Sequence, residues 1–324
     1  MASFNFSNYH QFGIKSETGR YVLAGWYILI LCSSLLGDTT ILVASIKYKA
    51  FELPKIVVTI IQHLAVCDLT MALFYLLPSI VSLIANGWVL GSTLCYITLY
   101  ICFYGITVGS FLIATMTTSK YLLLRYPLRS GIWFKRHAQK ICVGVWLFSL
   151  YTPLAFYCTD MRDVSFDFRI YSCMYGFSAP AWKILTPFFA VLGGALPNTT
   201  IVITTILLLK KAQKAAKGNL RWQGIVTVLL TVVVYMFGFT LFTLYHILEP
   251  FLEKNPSMPT SFDAHFFKIA WVFLSFNITG NFFVYSFTVS SFQNFLKTKV
   301  LKSKIASEPV PTATSQGKCS HPQS

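Results

Sequence analysis

Residues Cys95–Leu128 read CYITLYICFYGITVGSFLIATMTTSKYLLLRYPL, and this stretch decides how the rest of the chain is read. A helix needs about 20 apolar residues to cross the hydrocarbon core of a bilayer. The run here is longer, so it reads as a tilted span whose last turns protrude into water. It meets Lys120 and Arg125 near its end and stops at Pro127, because proline lacks the N–H that a helix interior requires.

The composition agrees with that reading. The chain has 324 residues, of which 55% are hydrophobic, 16% aromatic and only 11% charged. That balance is too apolar for a soluble domain of this length. A net charge of +15 raises the possibility of nucleic acid. The basic residues, however, sit between apolar runs rather than along an exposed reading face, so no nucleic acid is expected. Eight cysteines are scattered without a CxxC pair, which leaves no zinc-ligand spacing.

Apolar runs fall at about 21–46, 56–85, 93–123, 139–158, 182–209, 223–248 and 266–289, each near or above spanning length. The fold class is therefore an all-α membrane protein, a seven-transmembrane helix bundle. Residues 1–20 form a polar arm without the pattern of a cleaved leader. The bundle occupies 21–290. Residues 291–304 read as a short amphipathic helix on the membrane surface, and 305–324 as a disordered tail.

Charge sets the orientation. One set of loops and the tail carry nineteen Lys and Arg against only Glu52 and Glu308. The opposite side carries seven basic residues against seven acids. The positive-inside rule places the N-terminus outside and the C-terminus in the cytosol. Asn5 then heads an outward Asn-Phe-Ser glycosylation acceptor.

Only Asp38 and Asp68 lie deep inside spans. A carboxylate there is costly and marks a functional position by default, although either alone also reads as a stray acid near a helix end. Both fall in patterned surroundings: Gly37-Asp38-x-x-Ile41 and His63-Leu64-Ala65-Val66-Cys67-Asp68. Further along come Ser119-Lys120-Tyr121, Tyr126-Pro127-Leu128, Trp146, Pro197, the run from Tyr235 to Phe242, and Asn281-Phe282-Phe283-Val284-Tyr285. In this order the set resembles the rhodopsin-like (class A) G-protein-coupled receptors over roughly residues 22–300.

Several expectations follow from the resemblance alone. Cys95 at the head of the third span pairs with Cys173 in the loop before the fifth, the alternative being two free thiols. Asp68, with Asn277 and Asn281 from the seventh span, holds a sodium ion, and Asp38 joins them. Two acids in low dielectric do not both stay ionised without a cation or a proton, so a shared proton is the alternative. No other metal or cofactor is implied. Gly109 stands where the family has a serine. Lys120, Tyr121, Leu128 and Tyr285 take the positions that couple to a heterotrimeric G protein. The prolines of the sixth and seventh spans are replaced, which implies straighter helices with some give at Gly238.

The resemblance also outlines an outer cavity of Cys102, Phe103, Phe189, Phe239, Phe242, His246, Glu249, Lys268 and Trp271. Aromatic residues at such spacing equally serve packing. Cys102 stands where amine receptors carry an aspartate, and Ser275 where opsins carry the retinal lysine. An apolar, lipid-like or peptide ligand is therefore favoured over an amine.

The expected function is a plasma-membrane receptor that binds an extracellular ligand, contacts membrane lipids and signals through a G protein. It is not an enzyme: no second histidine cluster or Gly-x-Ser-x-Gly supports a catalytic site. One alternative is a receptor-like protein that binds a ligand or partner receptor without coupling, motivated by the Ser119-Lys120-Tyr121 triplet. A small-molecule transporter is the other, weakened by the absence of an internal repeat and of paired broken helices.

Overall fold

A computed structural model describes residues 17–158, 164–175, 190–215, 222–252 and 261–301. The polar arm is shorter than expected at its inner end, because helix α1 (Glu17–Ile46) begins before Arg20. Glu17 in the first turn complements the helix dipole and lies 3.7 Å from Arg20. Arg20 also donates to the Leu83 carbonyl, so this turn is anchored to the second span.

Proline shapes the second and fifth spans. Helices α2 (Lys55–Met71) and α3 (Leu77–Ala85) are joined by a π-helical turn over Ala72–Leu76, immediately before Pro78. Pro78 cannot donate to the carbonyl four residues back and its ring crowds that turn, so the helix widens to absorb it. The same device recurs at Ala190–Ala195, just before Pro197.

Helix α4 (Gly91–Arg125) is the third span. Its 35 residues rise about 52 Å at about 1.5 Å each, well beyond a hydrocarbon core of about 30 Å. The chain turns at Tyr126, where the Ser130 hydroxyl donates to the carbonyls of Leu122 and Tyr126. Pro127 ends α4 and also opens α5 (Pro127–Ser149), since the first helical turn needs no N–H. The fourth helix thus starts a dozen residues earlier than its apolar run. It breaks after Leu150 into α6 (Tyr151–Cys158).

Six described helices are long and apolar enough to cross a membrane. The fourth helix is not among them, because α5 carries Arg129, Lys135, Arg136 and Lys140 in its first two-thirds. The remaining spans are α7 (Leu196–Ala215), α8 (Trp222–Leu252) and α9 (Ser261–Thr288).

One short hairpin lies outside the helices. Strands β1 (Val164–Asp167) and β2 (Ser172–Tyr175) pair antiparallel, with Phe166 opposite Cys173. At the other end α10 (Ser290–Phe295) continues into a π-helical turn over Leu296–Leu301. Phe292 stacks on Phe51 at 5.0 Å and Phe295 lies 5.0 Å from Tyr48, which fastens this element under the bundle. Residues 302–304 of the expected amphipathic helix, the 305–324 tail and Asn5 lie outside the described residues.

Helices α8 and α9 each run as a continuous α-helix past the positions where the family has proline. Gly238 lies against α9. A β-carbon on it would lie 2.7 Å from the Phe273 carbonyl oxygen and 2.6 Å from Nδ2 of Asn277. The glycine lets α9 approach α8 closely, as small residues do between membrane helices. Gly238→Ala meets fixed backbone as well as the Asn277 amide. It is expected to destabilise the bundle by about 1–3 kcal/mol. Thermal melting of the detergent-purified protein checks this, and an unchanged midpoint would mean that α8 and α9 are not in close contact there.

Candidate functional site

The site is built from the outside inward. Cys95 at the start of α4 and Cys173 on β2 form a disulfide with Cα atoms 5.4 Å apart, within the range the bond requires. It pins the hairpin across the outer end of α4. The hairpin turn then dips into the bundle: Arg169, Ile170 and Tyr171 are all buried. The Arg169 guanidinium forks onto both carboxylate oxygens of Asp167, the shorter contact at 2.7 Å. Its other face covers the Phe267 ring of α9, 4.4 Å from the centroid. The Tyr171 hydroxyl donates to Asn86 across to the second span, and burial pushes its phenol above the ordinary value.

Below the hairpin is an aromatic layer. Phe242 of α8 packs against Trp271 at 5.4 Å, Phe239 at 5.9 Å and Phe103 of α4 at 6.4 Å. Phe103 and Phe242 act as packing here, while Cys102, Phe239 and Trp271 line a cavity. Lys268 is half-buried and interacts electrostatically with Arg169 and Asp167. Phe189 and the side chains of His246 and Glu249 lie outside the described residues.

The cavity measures about 60 Å³, enough for a few water-sized molecules. It runs from Trp271 and Tyr75 at its outer end, past Cys102, Gly109 and Ser110, to Asp68, Asn277 and Asn281. Cys102, Phe239 and Trp271 of the expected ligand pocket thus share one space with Asp68, Asn277 and Asn281 of the expected cation cluster, whereas Asp38 does not line it. Asn281 donates to Asp68 across the α2–α9 gap at 2.8 Å. Asp38 is fully buried and faces the bundle, where Ser34 one turn earlier donates to its Oδ2 at 2.5 Å. The two acids lie close enough to interact electrostatically. Oδ1 of Asp38 and Oδ1 of Asn277 have no hydrogen-bond partner among the described residues. Two orphan oxygens beside two carboxyl groups fit a hard, oxygen-liganded cation or a proton.

Sequence reasoning missed Tyr75 and Tyr27. The Trp271 indole donates to the Tyr75 hydroxyl, which in turn bonds Tyr27, so spans seven, two and one are linked at the cavity's outer end. Tyr75 sits in the π-helical turn before Pro78, and that proline was the available signal. His63 is committed to packing: its Nδ1 accepts from the Trp146 indole at 3.0 Å and its Nε2 lies 3.1 Å from Gln139.

At the far end of α4, Lys120 is only 8% exposed, whereas Leu128, just beyond it, is 83% exposed. Tyr285 is fully buried, its ring edge-on to Phe51. Tyr121 is half-buried. Ser119 turns its hydroxyl back to the Met116 carbonyl. The four positions thus divide: Leu128 is open to a partner, while Lys120 and Tyr285 are closed off.

Residues 37–285 match the sequence model of the 7 transmembrane receptor (rhodopsin family). The chain belongs to that family. Its members are receptors rather than enzymes, and the chain is a multi-pass membrane protein. It is 26% identical over 185 residues to the thyrotropin-releasing hormone receptor of Gallus gallus, covering 56% of this chain and 45% of that one. It is 28% identical over 134 residues to the cholecystokinin receptor type A of Homo sapiens, covering 40% and 31%. With the RYamide receptor of Drosophila melanogaster identity is 31% over 129 residues, covering 40% and 27%. The matches span less than half the length of each of these relatives.

Asparagine at either acid keeps the hydrogen-bonding shape and removes a like charge. Asp38→Asn is therefore expected to leave thermal stability unchanged or raised. Asp38→Ala with Asp68→Ala strands Asn281 and Ser34, and is expected to cost at least about 2 kcal/mol. Melting curves of the purified variants measure both, and a double variant as stable as wild type would mean the acids form no working cluster.

Proposed function

We propose that this chain is a cell-surface receptor for an extracellular peptide and that it signals through a heterotrimeric G protein. The observation that carries the reading is the family match together with relatives that are receptors for peptide hormones. The outer site supports it: no acid stands at Cys102 to anchor an amine, and the pinned hairpin offers backbone edges and aromatic rings of the kind peptides contact. In this reading the N-terminus is outside and residues 17–290 form the bundle. The polar cluster of Asp38, Asp68, Asn277 and Asn281 is its ion site, taking sodium or a shared proton. Leu128, with the basic residues around it, faces the G protein.

Agonist binding above Trp271 repacks the aromatic layer, and the change passes through the shared cavity to the polar cluster. Lys120 keeps the positive charge of the family's arginine but lacks its planar five-donor fork. Coupling is therefore weak, and Lys120→Arg raises it. The test is a peptide panel on cells expressing the chain, read out by cytosolic second messengers, with Lys120→Arg and Lys120→Ala beside wild type. Arg is expected to increase the agonist response several-fold and Ala to abolish it. Equal responses from all three would remove Lys120 from the interface. Peptide binding without any messenger response would favour a receptor-like chain that does not couple.

A further inference from the structure

Helices α5 and α7 both pack on α4 but scarcely meet each other among the described residues. Between them lies a groove of about 400 Å³, separate from the cavity beneath Trp271. It runs along α4 from Phe111 to Leu122, with Trp133 of α5 on one side and Pro197 of α7 on the other. At about 1.5 Å per residue that is a length of about 16 Å, half of a hydrocarbon core of about 30 Å. Three hydroxyls in its wall, those of Thr115, Ser119 and Thr200, each donate to a carbonyl of their own helix. Hydroxyls spent in this way leave the wall effectively apolar.

One end of the groove is strongly basic. Helices α4 and α7 run side by side in the same direction: the Thr204 hydroxyl donates to Thr117 at 2.8 Å, and further along Lys211 lies near Tyr126. Tyr126 stands one turn past the groove, its N–H bonded to the Leu122 carbonyl at 2.8 Å. Nε of Arg125 donates to the Tyr126 hydroxyl at 2.9 Å, and the guanidinium lies 5.3 Å from the ring centroid. That hydrogen bond first, then the charges of Arg125, Arg129 and Lys211, hold the phenol below its ordinary value. Cations from α4, α5 and α7 thus gather around one exposed ring. None of these three helices contains an Asp or Glu to balance them.

We propose that the groove and its basic mouth bind one anionic phospholipid, with an acyl chain lying along α4 from Phe111 to Leu122 and the phosphate held by Arg125, Arg129 and Lys211. An apolar groove alone accepts any hydrocarbon, and a cation cluster alone accepts any counterion. The two set one helical turn apart call for a single molecule with an apolar tail and a charged head. Guanidinium groups suit the head, because they grip phosphate oxygens in a two-pronged fork. Trp133, half exposed at the same end of the groove, suits the boundary between tail and head, where indoles settle in membranes. In the orientation given above this leaflet is the cytosolic one, and the site borders the face assigned to the G protein. Binding can be measured on the purified chain without signalling and without assigning a side.

The experiment is photocrosslinking of the full-length receptor in nanodiscs, using phosphatidylglycerol or phosphatidylcholine with a photoreactive acyl chain, followed by peptide mapping. A Lys or Arg near a membrane surface contributes roughly fivefold to anionic-lipid binding, so three predict a preference above about tenfold for phosphatidylglycerol in the groove peptides. Arg129→Gln with Lys211→Gln is expected to lower that preference at least about tenfold and to leave phosphatidylcholine labelling unchanged. Raised salt is expected to weaken it in wild type, since the mouth is exposed. Thr118→Phe, which fills the groove, is expected to lower labelling by both lipids several-fold.

Equal labelling by the two lipids, or a preference that survives the double charge variant, would overturn the proposal. If inorganic phosphate removes the preference and the acyl chain labels outside the groove, the mouth is a phosphate site and the lipid is wrong. If the lipid binds as expected but the chain signals with no ligand, this site stands and the coupling reading fails.

Discussion

A polar group surrounded by hydrocarbon has only protein to turn to, and that constraint orders most of this molecule. Hydroxyls throughout the spans donate to the carbonyl one turn earlier on their own helix. Thr40, Thr70, Ser79, Thr107, Ser110, Thr115, Ser149 and Thr200 all do so. Such back-bonding satisfies the side chain and leaves the helix exterior effectively apolar. Against that background the few groups that reach across helices stand out. Asn281 to Asp68, Trp271 to Tyr75, Thr204 to Thr117 and Trp146 to His63 are among these cross-links, and the first two border one cavity.

That cavity links the two ends of the proposed mechanism. Its outer wall is Trp271, whose rings touch Phe242 and Phe267 and, through Phe267, the buried Arg169 of the hairpin. Its inner wall is Asp68 and Asn281. In the proposed mechanism a side chain that turns in the aromatic layer changes the space beside Asp68, because packed interiors transmit displacement rather than absorb it. The disulfide keeps the hairpin in register with α4, so a ligand pressing on the turn has a fixed point to work against.

The spans were legible from length and apolarity, because hydrocarbon imposes both. The Cys95–Cys173 pair was legible through the order of landmarks. Element ends were less so. Pro127 reads as a stop, yet the same missing N–H that ends α4 is harmless at the first turn of α5. The hairpin was illegible because Val164–Tyr175 is short and its turn is closed by a buried Asp167–Arg169 ion pair rather than announced by alternation. Within the site, Tyr75 was hidden because its direction depends on a π-helical turn that shifts the 3.6-residue pattern. Lys120 was expected at a solvated mouth, where ion pairs are worth little. It is buried instead, and only Gly224 on the facing helix could have announced that.

The departures from the family pattern have a common form. Phe282 replaces a proline, and its ring lies where a β-carbon on Gly37 would be, 2.5 Å from Cγ. The sixth span has lost its proline, and Gly238 admits Asn277 and the α9 backbone instead. Met71 fills the space beside Gly105 of α4, and Lys120 fills the space beside Gly224. In each case a side chain is seated in a glycine notch on the next helix. Dispersion contacts of this kind are weak singly but fall off steeply with distance. A bundle held by notches therefore resists small shifts and releases abruptly once a helix has moved by the depth of a side chain. A bundle packed this way does not take its close helix contacts from proline: the notches set how near each pair of helices can lie.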